Sequence, residues 1–168
     1  MSFGVTRFYK TLRGVSQAPP KGHFMKIPHG VHHFHHSTLL IVSDHVRAHF
    51  YLIHEDTLVH ADEIIMPRER YQDNEGAAVI PSQGTPCNPK EKSDAPRLHH
   101  FIKKMCRKAD ALHDAHGIEV VDLVMPADLA HVFTDACSTR VHPKIRRTLH
   151  HDMMKKDILD VVKKLFEQ

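Results

Sequence analysis

Residues 38–43 (Thr-Leu-Leu-Ile-Val-Ser) form a short continuous apolar run. A run without alternation suits a strand buried on both faces, at the centre of a sheet. Asp44-His45 predicts a tight turn and residues 48–53 (Ala-His-Phe-Tyr-Leu-Ile) a second strand. His54-Glu55-Asp56 turns again, and residues 57–65 continue as a third strand. Such short turns permit only antiparallel pairing, so the three strands form a meander.

The period then changes. At about 100° per residue, Leu98, Phe101, Ile102, Met105, Ala109 and Leu112 fall on one stripe, which predicts a helix over residues 95–116. Arg97, His100, Lys103, Lys104, Arg107 and Lys108 gather on the opposite side. Gly117 closes the helix, because glycine accepts the left-handed conformation that follows a last helical turn. Residues 118–125 predict a fourth strand, and Pro126 opens a second helix whose apolar face is Leu129, Val132, Phe133 and Ala136. A fifth strand is expected around residues 144–150. A last helix from about residue 154 buries Ile158, Val161, Val162 and Leu165.

The order is thus β-β-β-α-β-α-β-α, a meander followed by two crossovers. Right-handed crossovers place strands four and five beside strand one and parallel to it. The expected fold is α/β and ribonuclease-H-like, with a five-stranded mixed sheet in the order 3-2-1-4-5 and helices packed on its faces. Residues 39–168 are read as one domain and residues 1–38 as a basic, histidine-rich extension, because Gly, Pro and His interrupt every apolar run there. Residues 66–95, with Pro67, Gly76, Pro81, Gly84, Pro86 and Pro89, read as a long loop, a length usually functional or disordered.

Composition adds three points. At 168 residues the chain can bury one proper core, and 41% hydrophobic with 26% charged residues is ordinary for a globular protein. No apolar stretch approaches the roughly 20 residues of a membrane helix, and no signal-peptide core is visible, so a cytoplasmic protein without a membrane partner is expected. Cys87, Cys106 and Cys137 are odd in number and widely spaced, which reads as three free thiols rather than a disulfide framework or a zinc knuckle. The net charge is only +3, but residues 1–43 hold Arg7, Lys10, Arg13, Lys21 and Lys26 and no acid. An acid-free basic arm suits an anionic partner, although a solvated tail has the same composition.

Several segments together resemble the bacterial host-attachment proteins, also called proteins required for attachment to host cells. Met25-Lys-Ile-Pro-His-Gly30 resembles that family's usual start, and Leu39-Leu-Ile-Val-Ser-Asp-His-Val-Arg-Ala-His-Phe50 its first hairpin. Val124-Met-Pro-Ala-Asp-Leu-Ala-His-Val-Phe133 resembles its strand-to-helix turn, and Asp152-Met153-Met154, Lys156-Asp157, Asp160-Val161 and Leu165 its close. The likeness runs from about residue 25 to the end. That family is in turn similar to the central domain of the archaeal and eukaryotic peptide release factor, which implies a ribosome-associated role.

A two-metal nuclease needs several carboxylates converging on its ions. The first strand has no acid between Leu39 and Ser43, Asp44 sits at a hairpin turn as a turn former, and Asp122 lies near the start of the fourth strand. Release factors carry Gly-Gly-Gln on the loop before the long helix, whereas the loop here offers Ser82-Gln83-Gly84. No nucleophile elbow or phosphate loop occurs. No enzyme activity and no cofactor are expected.

Two surfaces remain. Six of the 18 histidines lie between His23 and His36, and His29, His32, His33, His35 and His36 could chelate zinc, nickel or copper, as any histidine-rich segment can. His113 and His116 form a weaker pair. The helical face Arg97, Lys103, Lys104, Arg107 and Lys108 is either a solvated surface or a phosphate-binding one. The expected function is therefore a non-catalytic binding protein that contacts ribosome or structured RNA. The alternatives are an interaction protein in an attachment or stress pathway, and a histidine-rich metal-binding protein.

Overall fold

The computed structural model describes residues 24–28, 33–66 and 89–167, with residues 89–94 described by their backbone alone. Six strands form one sheet: β1 (Phe24–Lys26), β2 (Phe34–Ser43), β3 (Arg47–Glu55), β4 (Thr57–Ile65), β5 (Val120–Val124) and β6 (Ile145–Leu149). Among the described residues three α-helices accompany them: α1 (Pro89–His116), α2 (Ala127–Ala136) and α3 (Ile158–Phe166). The sheet order is β1-β4-β3-β2-β5-β6. The five expected strands keep the expected order, and the sheet is mixed: β2 pairs antiparallel with β3 and parallel with β5, which pairs parallel with β6.

Six strands rather than five is a correction. β1 adds to the outer edge of β4, with Met25 opposite Leu58, and the Ile27 N–H donates to the Asp56 carbonyl at 2.7 Å. The boundary expected at residue 38 also falls inside β2, which starts four residues earlier. Phe34 and Ile27 are both core residues. The reason is that β2 is doubly apolar only from Leu39 onward. Ahead of that its pairing is irregular, with Phe34 buried but His35 and His36 both exposed, a pattern that reads as polar along the chain.

Two layers of core sit on the two faces of the sheet. Leu39, Ile41, Phe50, Leu52, Val121 and Leu123 point to the side covered by α1 and α2, where they meet Phe101, Met105, Leu129 and Phe133. Leu40, Val42, Ile53, Leu58, Val124 and Leu149 point the other way, to Val161, Val162 and Leu165 of α3. Each helix arrives as its sequence dictates. Gly117 adopts φ +60° and donates its N–H to the His113 carbonyl. Asp157 caps α3 by accepting the Leu159 N–H at 2.8 Å, an end that otherwise leaves donors unpaired. Asp44 holds the β2–β3 hairpin, its Oδ1 accepting the N–H groups of Val46 and Arg47 at 2.6 Å each. The helix expected from residue 95 begins at Pro89, with Pro96 inside it.

These contacts predict that the fold needs the segment from residue 24 onward. A chain starting at residue 24 should melt within a few degrees of the full chain. A chain starting at residue 39 loses β1, Ile27 and Phe34 together and should show no cooperative transition. Phe34→Ala alone should cost about 3–5 kcal/mol, the usual range for a buried ring. Equal melting of the two truncated chains would show that the segment before residue 39 contributes nothing to the fold.

Candidate functional site

The apolar stripe of α1 is fully engaged with the sheet: Phe101, Ile102, Met105 and Ala109 are buried. The opposite side of the same helix therefore faces solvent. His99, His100, Lys103, Lys104 and Arg107 are exposed along it. Lys103, Lys104 and Arg107 have no ion pair with another described residue. Arg97 is half-buried at one end of this row.

Lys108 departs from the expected picture. It sits at the flank of the stripe rather than among the outward cations, half-buried, and forms an ion pair with Asp62 of β4. Burial alone would raise the Asp62 carboxyl, but the bond from Lys108 and the Glu63 N–H outweigh it and hold the acid below the usual carboxylate range. A bulge sets this up. Phe50 pairs with Asp62 and Tyr51 with His60, so Ala61 is an extra residue and Asp62 turns toward α1. Lys108 thus ties α1 to the sheet and is not offered to a partner.

The histidine tract is only partly described. His29 and His32 lie outside the described residues. His33 and His35 stand on one side of the strand with ring centroids 5.0 Å apart, both exposed. His36 points the other way, with Nδ1 2.6 Å from Glu119 Oε2. The structure brings two of the expected ligands together and engages a third elsewhere. His113 Nε2 accepts from Lys144 Nζ at 2.5 Å, and His116 is half-buried with its pKa lowered by burial. Among the described residues no group of three or more His, Cys, Asp or Glu side chains is placed to hold a metal ion. Ser82-Gln83-Gly84 and Cys87 lie outside the described residues.

Two groupings were not foreseen from the sequence. On the side of the sheet that α3 packs against, His49 Nδ1 and His60 Nε2 are 3.1 Å apart, and the Tyr51 ring stands edge-on to His60 at 5.1 Å. Burial lowers the His49 pKa, against the pull of Glu63, and raises that of Tyr51. Pairing across the β3–β4 hairpin makes Tyr51 and His60 partners, so this cluster was legible once the turn at Asp56 was placed. The other grouping is Asp122 on β5, only 1% exposed. Neither of its oxygens has a hydrogen-bond partner of good geometry among the described residues. Its cross-strand partner Arg147 lays its guanidinium 4.1 Å from the Phe166 ring instead. Burial raises the Asp122 pKa, and the charges of Arg147 and Arg146 with the Arg147 N–H offset this only in part.

No family model matches the chain, and no curated protein matches it. Among solved structures it is similar to an archaeal translation termination factor, at 12% identity and a TM-score of 0.48. The similarity covers 76% of this chain and 37% of that one. The chain thus spans just over a third of the factor's length, and the identity is too low to carry any residue's role across.

Asp122 yields a signed test. Its folded-state pKa is raised above the unfolded value, so the folded state holds the proton more tightly. The resulting penalty on stability is absent below about pH 3.9, the ordinary aspartate value, and grows as pH rises from there toward the folded pKa. Asp122→Asn should therefore raise the melting temperature at neutral pH and leave it unchanged at strongly acid pH. A fall at neutral pH would mean that an ionised Asp122 stabilises the sheet through Arg147.

Proposed function

We propose that this protein is a non-catalytic binding module that engages structured RNA, as found on the ribosome, through the outward face of α1. The observation that carries this reading is the row of exposed cations, Lys103, Lys104 and Arg107, on a helix whose other side is locked into the core. Cations on a rigid element are pre-arranged for phosphates, and phosphate contacts position a partner without reading its sequence. His99 and His100 extend the row as further exposed side chains.

The strand order β4-β3-β2-β5-β6 supports placing the domain with ribonuclease-H-like folds. The sequence likeness to host-attachment proteins supports a place beside that family and a cytoplasmic setting. No helix among the described residues is long and apolar enough to cross a membrane. An interaction role in an attachment or stress pathway is the second reading, and it rests on that likeness alone. Histidine-tract metal binding is a third, supported by the adjacency of His33 and His35.

Ribosome co-sedimentation and binding to an RNA hairpin, each over a salt series, test the first reading. Three phosphate contacts should give a log–log salt slope of about −2 to −3, using roughly 0.7–0.9 per phosphate. The triple change Lys103→Glu, Lys104→Glu, Arg107→Glu should abolish binding and leave the melting temperature nearly unchanged. Lys108→Glu should instead lower the melting temperature, because it sets two carboxylates against each other at Asp62. Unaltered affinity in the triple variant, with a flat salt response, would make the α1 face a solvated surface only.

A further inference from the structure

We infer that Cys106 and Cys137 form a redox-active pair that a peroxide converts to a disulfide joining α1 to the end of α2. The two sulfurs are 4.0 Å apart although 31 positions separate the residues in the chain. A disulfide needs about 2.05 Å between them, so the sulfurs must close by about 2 Å. The location of Cys137 permits this. It is the residue just past α2, with extended backbone at φ −65° and ψ 148°, and it is held there by a single 3.3 Å bond from its N–H to the Thr134 carbonyl. Cys106 lies on a central turn of α1 and is the fixed partner, its Sγ 3.9 Å from the Phe133 carbonyl.

The surroundings select the product. Ile102, Met105, Ala109, Phe133 and Ala130 belong to the same apolar cluster as Cys106, and Cys137 packs against that cluster. A disulfide is neutral, whereas two free thiolates would bury charge in apolar surroundings, which is the costlier outcome. Asp110 lies near both thiols and would also repel a second thiolate. Hydrogen bonding from Cys137 favours the thiolate on Cys106, and the same contact with burial disfavours it on Cys137. In this proposal Cys106 is the sulfur oxidised first, with the half-buried Cys137 as the attacking partner.

The steps balance as follows. The Cys106 thiolate attacks one oxygen of hydrogen peroxide, the O–O bond breaks, and the departing hydroxide takes the proton released from Cys106 to leave as water. Cys106 is then a sulfenic acid. The Cys137 sulfur attacks it, the S–O bond breaks, and the Cys137 proton leaves with the hydroxyl as a second water. Two thiols are oxidised by two electrons, and one peroxide is reduced to two waters.

The test treats the full-length folded chain with stoichiometric hydrogen peroxide and maps cysteine-containing peptides by mass spectrometry. The expected result is one intramolecular Cys106–Cys137 link, reversed by dithiothreitol. The linked protein should melt about 5–15 °C higher, the range that closing a loop of this length brings in a domain of this size. Cys137→Ser should stop the reaction at a dimedone-reactive sulfenic acid on Cys106, and Cys106→Ser should leave Cys137 unmodified. The same treatment in urea should scatter links among Cys87, Cys106 and Cys137. The inference is overturned if the folded chain yields no Cys106–Cys137 link, or yields it in no greater proportion than the unfolded one. Over-oxidation of Cys106 in the unaltered chain with Cys137 still free would overturn it equally.

Discussion

Strand β2 is buried on both faces, and every other element is placed by that constraint. Leu39 and Ile41 face one way, Leu40 and Val42 the other, and all four are within the core. A strand of this kind cannot leave either face open to water, so helices must cover both. It also cannot leave an edge free, so it takes β3 antiparallel on one side and β5 parallel on the other. The parallel partner forces a long return, and α1 supplies it. The length, position and apolar stripe of α1 therefore follow from β2, and so does the cationic face that α1 turns outward.

Most of that chain of consequence is written locally. The continuous apolar run at 38–43, the tight turn at Asp44, the helical stripe from Leu98 to Leu112 and Gly117 each announce themselves within a few residues. The parts that are not legible depend on partners far away along the chain. β1 is three residues long and only Met25 of it is half-buried; it exists because β4 offers an edge and the following Ile27 joins the same core cluster as Leu58. The early start of β2 is hidden because His35 and His36 mask it and because an irregularity between Phe34 and Thr38 takes the Phe34–Glu55 pair out of the register of the apolar run. Lys108 reads as one more surface cation until a bulge at Ala61 turns Asp62 toward it. Cys106 and Cys137 read as two isolated thiols because nothing local reveals how α1 and α2 cross.

The two sides of the sheet differ in chemical character. The α1–α2 side is apolar at depth, and its polar ties lie at the margins: Lys108 with Asp62, Asp110 with Ser138, Asp114 with Arg140. Lys144 adds another, donating to His113 and to the Ile118 carbonyl at the end of α1. These contacts pin the helix at its middle and at its C-terminal end. A surface held in this way has little freedom to adapt, so any partner must match the spacing of its charges.

The α3 side is shorter of cover. A nine-residue helix spans Leu40, Val42, Val124 and Leu149, and it leaves His49, Tyr51 and His60 half-exposed on the outer strands. Under it lies the one buried acid among the described residues, Asp122, beside an arginine committed to Phe166. A carboxyl in that position cannot be explained by packing, because a buried polar group without good hydrogen bonds costs free energy that an apolar side chain of similar size would not. It is tolerated because burial favours its neutral form, which needs far less compensation than an ion. Arg147 offsets this only in part: its guanidinium lies 4.1 Å from the Phe166 ring, and its Nη1 is buried without a hydrogen-bond partner among the described residues. The burial that raises the Asp122 pKa lies on the same side of the sheet that α3 covers, so loosening α3 is expected to shift the balance toward the ionised acid.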